Sequence, residues 1–316
     1  MESKIIVDLL LPRRAGGVVR WGEDLAKALN GKKFLIRIFR GEKEVLNYLF
    51  FKKKGNIVHS TIPLPFWPFR VPLVLTIHGL FLKEKNIWSK FYPFTIKKAD
   101  IITVPSFWLK NKLSIKNSIV IPNGIYLNQF EKRKNINLKT KKEIIFLTLT
   151  NFNFYEKCKG LLSIYKALKE LKIKKKITFY ILGDGEFKKE FFKKIKSFNN
   201  VKISFEGYKD PKPFFKKADI FLYFSFLDVF AISILEGMAF GLPIITNEFG
   251  AAKEIIDNRK EGIIVNNYKE MKNAILEIIN KNLGEKLGEN ARKKIEKKFN
   301  WEILKRKWEK IYESLV

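Results

Sequence analysis

Asp228 and Glu236 stand eight positions apart in LDVFAISILEGMAFGLPIIT, a stretch otherwise made almost entirely of apolar and small residues. Two carboxylates in such company are costly to bury unless hydrogen-bonded or paired. DIFLYF ahead of them reads as a strand, SFLDVFA as a loop, ISILEGMAF as a helix and PIIT as the next strand. Asp228 is therefore expected in the loop before the helix and Glu236 about one turn inside it. The backbone amides of Phe230, Ala231, Ile232 and Ser233 would be free at the helix start. A carboxylate bidentate to a sugar diol, with neighbouring amides over a phosphate, is the pattern expected for a nucleotide-sugar.

Other residues could serve the same chemistry. In YEKCKGLL, Lys157 and Lys159-Gly160 open a helix directly after a strand, and two ammonium groups there add fixed charge to the helix dipole, a site for a diphosphate. ILGDGEF places Gly183-Asp184-Gly185 between a strand and a helix, the build of an anion-binding turn, although a strand needs a tight turn in any case. Gly16 and Gly17 lie between the first strand and first helix, where glycine lets a ligand approach the backbone. That loop lacks the G-x-G-x-x-G of dinucleotide binders, so NAD is not expected. The two histidines, His59 and His78, each end a strand of the first half, where a histidine is either a structural donor or a cleft residue. Cys158 reads as a bystander.

The elements that position these residues follow from periodicity. KIIVDLLL, FLIRIF, NIVHS, PLVLTIH, DIITV and SIVIP are strand-like, and GEDLAKALN, EKEVLNYLFF and WLKNKL between them are helical in spacing. After IPNG comes a polar stretch, LNQFEKRKNINLKTKKE, that looks like a linker, and then the βαβ pattern restarts at EIIFLTLT. This predicts an α/β protein of two Rossmann-like parallel-sheet domains, residues 1–136 and 137–297, followed by a helical segment 298–316 with no strand after it. Doubly wound sheets bind ligands at strand C-termini, so two of them suggest a shared cleft for two substrates.

Composition bounds the class. With 316 residues, 46% hydrophobic and 30% charged, the chain is globular. One cysteine excludes a disulfide framework and a cysteine zinc site, which favours a cytoplasmic location. The formal charge of +30 is spread: residues 1–136 carry 25 Lys+Arg against 9 Asp+Glu. Lysine far outnumbers arginine, so a solvated surface or an anionic membrane face is preferred over specific nucleic-acid binding. TIPLPFWPFRVPL carries Phe66, Trp67 and Arg70 among four prolines. It is either a packed loop of the first domain or an interfacial anchor that would place the chain peripherally on a membrane.

Together these motifs resemble the retaining, nucleotide-sugar-dependent glycosyltransferases of the GT-B fold, family four. The resemblance runs through the Gly-Gly loop, TIHG, ADIITVPSFW, VIPNGIYLNQF, the Lys-Gly helix, LGDGE, KADIFLYFSFLDVFAISILEGMAFGLPIITNEFGAAKEII and FNWEILKRKWEKIY. It implies that Glu236 holds the donor ribose, that Asp228 lies by the transferred sugar, and that the amides of Phe230 and Ala231 meet sugar or phosphate. It further implies diphosphate binding by Lys159, an active-site role for His78, a place beside diphosphate and acceptor for Gly16 and Gly17, and a C-terminal helix that returns to the first domain. Asp228 replaces the usual Glu, Ala231 the usual Gly, and no Arg precedes the Lys-Gly, a charge that Lys157 is expected to supply.

The activity implied is transfer of a hexose from a UDP-, GDP- or ADP-sugar to a glycan or lipid-linked acceptor with retention. No cofactor and no metal are expected, since no Asp-x-Asp motif appears where one would be useful and lysines stand in its place. The alternatives for such a fold are a phosphorylase, an epimerase, or a catalytically inactive nucleotide- or polyanion-binding protein.

Overall fold

The computed structural model describes residues 3–13, 16–81, 87–133 and 137–316. It forms two compact units, one of residues 1–126 with 298–316 and the other of residues 127–297. The boundary expected after residue 136 adjoins residues 134–136, which lie outside the described residues.

In the first unit, β1 (Ile5–Leu11), β2 (Phe34–Arg40), β3 (Ile57–Ser60), β4 (Leu73–Thr76), β5 (Ile101–Val104) and β6 (Ile119–Val120) form one parallel sheet in the order β2-β1-β3-β4-β5-β6. The strands are apolar runs because helices cover both faces. The helix Gly17–Leu29 buries Trp21, Leu25, Ala26 and Leu29 on one side. On the other, the helix Gly41–Phe51 and the loop 61–72 bury Tyr48, Leu49, Leu64 and Trp67.

The C-terminal helix Trp301–Glu313 belongs to this unit. Its apolar residues recur at helical spacing, and Trp301, Leu304, Trp308, Ile311 and Tyr312 join Val7, Leu9 and Trp21 in one core. Asn300 caps its start by accepting from the Glu302 amide, and two backbone hydrogen bonds tie Ile125 to Phe299 and Trp301 (2.8 and 3.1 Å). A Cβ on Gly124 would stand 2.6 Å from Leu304. Gly124 is therefore a packing requirement of a helix some 180 positions later in the chain.

The second unit holds β7 (Glu143–Leu149), β8 (Lys176–Leu182), β9 (Val201–Gly207), β10 (Ile220–Tyr223), β11 (Ile244–Asn247) and β12 (Gly262–Val265). Its parallel order is β12-β11-β10-β7-β8-β9, so consecutive crossovers depart in opposite directions from the β7–β10 pair. A crevice opens at the carboxyl ends of two such strands, because the connections that follow them diverge to opposite faces. The described part of the stretch read as a linker packs on this unit: Arg133 and Lys141 reach the buried carboxylate of Asp219 (3.3 and 2.6 Å), which also accepts from the Ile145 amide.

Candidate functional site

The residue after β10 and the residue after β7 that matter most meet at that switch point. The helix Tyr155–Lys169 begins six residues past β7, and Lys157 in its first turn donates to Asp228 Oδ2 at 2.8 Å. The Tyr223 hydroxyl, from the last residue of β10, donates to the same oxygen, and the Val229 amide donates to Oδ1 at 2.9 Å. Burial alone would push the Asp228 carboxyl up; the Lys157 ammonium and the Tyr223 hydroxyl override it and hold the group below the usual carboxylate value. Burial, with the Asp228 charge beside it, raises the Tyr223 phenol well above its ordinary value, so it stays a donor.

The loop that carries Asp228 is itself held from below. Ser225 Oγ accepts from the amides of Leu227 and Asp228 (3.3 and 3.2 Å), and the buried Asn247 side chain bonds both the amide and the carbonyl of Ser225 at 2.8 Å. Two glycines let neighbouring backbone close on it. A Cβ on Gly160 would stand 1.7 Å from the Phe224 carbonyl oxygen, and one on Gly250 would stand 2.3 Å from that of Val229. Tyr223, Ser225, Asn247 and Gly250 carry no motif signal of their own; only strand adjacency reveals them.

Glu236 lies in the helix Ile232–Ala239, which has Ala231 as N-cap and no side-chain cap. Its side chain is buried, as are those of Phe230 and Ala231. Ala231 takes an extended conformation, φ −83°, so a Cβ there is unstrained. Lys159 turns away from Asp228 and pairs instead with Glu156 (2.9 and 3.1 Å), both side chains being nearly half exposed. The structure thus separates the two lysines: one is locked on the loop carboxylate, the other sits in a loose surface pair.

The turn at Gly183-Asp184-Gly185 does not build the anion cradle its sequence suggests. The amides of Gly183, Gly185, Glu186, Phe187 and Lys188 all have partners within the protein, and Asp184 is paired with Lys188 at 2.8 Å. Gly183 and Gly185 have φ of +127° and +145°, and a Cβ on either would strike Thr150 or Asn153 backbone. Their glycines serve a close crossing of two loops. Cys158 is fully buried, and burial raises its thiol to about 11.

In the first unit, His59 sits in the middle of β3, flanked by Leu9 of β1 and Val74 of β4. Nδ1 bonds the Tyr312 hydroxyl at 2.7 Å and Nε2 the Thr76 hydroxyl at 2.6 Å, while Trp21 and Trp308 pack on its ring. Both nitrogens are committed, so His59 pins the C-terminal helix to β3. His78 lies two residues past β4, its ring 4.5 Å from Trp21, and its buried Nε2 has no partner among the described residues. An added Cβ at Gly16 would meet nothing within 4 Å, so space is open beside the start of the helix Gly17–Leu29.

Of the two readings of its loop, Trp67 takes the packed one and is not an interfacial anchor: it is buried among Tyr48, Leu49 and Leu64, and its Nε1 donates to Val71 O at 3.3 Å. Phe66 is half-buried and Arg70 exposed. No helix among the described residues is long and apolar enough to cross a membrane.

Residues 129–294, just over half of the chain, match the family described as Glycosyl transferases group 1. The chain is 27% identical to the uncharacterized glycosyltransferase MJ1178 of Methanocaldococcus jannaschii, over 92% of this chain and 83% of that one. It is 31% identical to MJ1069 of the same organism, over 73% of this chain and 64% of that one. The crystal structure of Anabaena Alr3699/HepE in complex with UDP-glucose superposes with a TM-score of 0.73 at 15% identity, covering 98% of this chain and 99% of that one. The two doubly wound sheets and the C-terminal helix are those of the GT-B fold, and the chain belongs to the glycosyl transferases group 1.

Proposed function

We propose that the chain transfers a hexose, with retention, from a nucleotide-diphosphate sugar to a glycan or lipid-linked acceptor, without a metal ion. The observation that carries this reading is the Lys157–Asp228–Tyr223 cluster at the β7–β10 switch point, followed in the chain by a helix that buries Glu236 about one turn past its start. Glu236 binds the ribose diol. The start of the helix Ile232–Ala239, which no side chain caps, takes the diphosphate with Lys157 and Lys159 and stabilises the charge that develops on it as the leaving group departs. The Lys159–Glu156 pair is exposed enough to yield to a phosphate, because such surface pairs contribute at most about 1 kcal/mol.

Asp228 is assigned to the transferred sugar as a hydrogen-bond acceptor, not as a nucleophile, since its oxygens are already engaged by Lys157, Tyr223 and the Val229 amide. His78, whose buried Nε2 has no partner among the described residues, and the space beside Gly16 are what the first unit offers to the substrates. Alr3699/HepE has been crystallised with UDP-glucose; a UDP-sugar is accordingly the first donor to try here.

Thermal melts with UDP, GDP, ADP and their sugars test the reading. A ligand at a hundredfold excess over its Kd stabilises by about 2.7 kcal/mol, so one nucleotide is expected to raise the Tm of the wild type. In Glu236→Ala that shift is expected to vanish, since two charge-assisted hydrogen bonds are worth about 3 kcal/mol or more together. If no nucleotide moves the wild-type Tm, the donor site is misassigned. Turnover with the donor so identified is expected to survive EDTA undiminished; abolition by EDTA, restored by a divalent ion, would show that the lysines do not replace a metal.

A further inference from the structure

The helix Gly41–Phe51 ends in Phe50-Phe51 and is followed by Lys52-Lys53-Lys54. Phe50 is 62% exposed and Phe51 80% exposed. Their rings lie 6.1 Å apart, and Phe66 adds a third ring 5.1 Å from Phe50. Beneath them Tyr48, Leu49, Leu64 and Trp67 are packed, so these rings are the outer layer of a filled core and have no room to fold inward.

The segment is held in shape from within. Lys54 donates to the carbonyls of Tyr48, Leu49 and Lys52 (2.8, 3.1 and 2.8 Å), closing the helix C-terminus, and its ammonium stands 4.3 Å from the Phe69 ring centre. Lys52, Lys53 and Arg70 are exposed, and none has a carboxylate partner among the described residues. The acidic residues of this helix, Glu42 and Glu44, are at its opposite end, where Glu44 accepts from the Arg40 amide. Exposed aromatic rings followed directly in the chain by exposed lysines make an apolar patch with cations beside it, and apolar patches mark a docking place.

We propose that the Phe50–Phe51 patch docks the chain on an anionic lipid bilayer, with Phe50, Phe51 and Phe66 entering the headgroup boundary and Lys52, Lys53 and Arg70 meeting lipid phosphates. The chemistry on both sides is matched: rings supply a non-directional apolar contact, and lysines near an anionic leaflet each add about 1 kcal/mol. A protein partner fits less well, because a stable interface covers about 800 Å² on each side, more than three rings present. The patch lies in the first unit and stands independently of the donor site in the second, so either assignment can fail alone.

Because Cys158 is fully buried, Phe51→Cys creates one accessible thiol for an environment-sensitive fluorophore. Vesicles containing phosphatidylglycerol are expected to shift that emission to the blue, vesicles of phosphatidylcholine alone are not, and salt is expected to reverse the shift. Phe50→Ser/Phe51→Ser is expected to lower cosedimentation with the anionic vesicles by about tenfold or more, while its Tm stays near that of the wild type. Absence of cosedimentation, undiminished cosedimentation of the double variant, or a label that stays in water while the chain sediments each overturn the proposal; the last outcome would assign the contact to another basic surface.

Discussion

Replacement of Lys157 by methionine is expected to destabilise the second unit by about 2–3 kcal/mol at pH 7 and to lower turnover about a hundredfold. Breaking a fully buried ion pair costs about 3–5 kcal/mol, because a charge is left without its partner. The side chains of Lys157 and Asp228 are 23% and 14% exposed, so water offsets part of that. Asp228→Asn should cost less, since the freed ammonium can rotate into solvent. In the double variant the losses should fall short of their sum, and that shortfall is the coupling of the pair.

The pH dependence gives a second reading of the same pair. In the wild type Asp228 is held below its ordinary value, so its contribution is full above the unfolded value near 3.8 and is lost as pH falls through the folded one. In Lys157→Met burial is no longer overridden, the folded-state value rises, and acid favours the folded variant. The stability gap between wild type and variant, measured by urea melts, should therefore narrow from pH 7 toward pH 4. A constant gap, or strictly additive single-variant losses, would show that the two residues do not sense each other.

Why that pair was only half legible is a matter of topology. The period-two and helical runs predict both sheets, the loop position of Asp228 and the helical position of Glu236, because burial on two faces imposes those patterns locally. They also suggest two lysines at a helix start. They do not say which lysine meets Asp228, since Lys157 and Asp228 are 71 positions apart and become neighbours only because β10 pairs with β7. Lys159 adjoins the glycine that matches the family motif, yet Gly160 is small so that Phe224 can approach it.

Three other places admit two readings in sequence, for related reasons. Gly183 and Gly185 look like an anion turn, but glycine in a tight crossing and glycine under a phosphate are identical in sequence. Trp67 could be an anchor or a core residue because its loop is rich in aromatic residues; its burial depends on Tyr48 and Leu49, presented by a helix elsewhere in the chain. The exposed rings are at Phe50 and Phe51, for which the spacing of EKEVLNYLFF predicts only a helix. His59 looks like a cleft residue until Tyr312 arrives from a helix that no local pattern ties to β3.

Acidification from pH 6.5 to 4.5 is expected to weaken the first unit by about 2–3 kcal/mol through His59 alone, at about 1.4 kcal/mol per pH unit. His59 is fully buried, and burial, aided by the nearby His78, pushes its imidazole down to about 3. Below pH 6.5 the unfolded chain takes up a proton that the folded chain refuses. Stability is thus complete above that pH and falls until the folded ring also titrates. His78, lowered to about 3 by burial, acts in the same direction.

The hydrogen bonds give the reason. As a neutral ring, His59 donates from one nitrogen and accepts at the other, which suits the hydroxyls of Tyr312 and Thr76, the latter linked onward to Thr103 at 2.6 Å. A second ring proton would force both hydroxyls to accept and would bury a charge with no carboxylate beside it. His59→Gln keeps one donor and one acceptor but cannot titrate. Its stability at pH 7 should fall by about 1–2 kcal/mol from altered packing, whereas its loss between pH 6.5 and 4.5 should be smaller than that of the wild type by one proton's worth of slope. An unchanged slope in His59→Gln would mean that the folded chain protonates His59 as readily as the unfolded chain does.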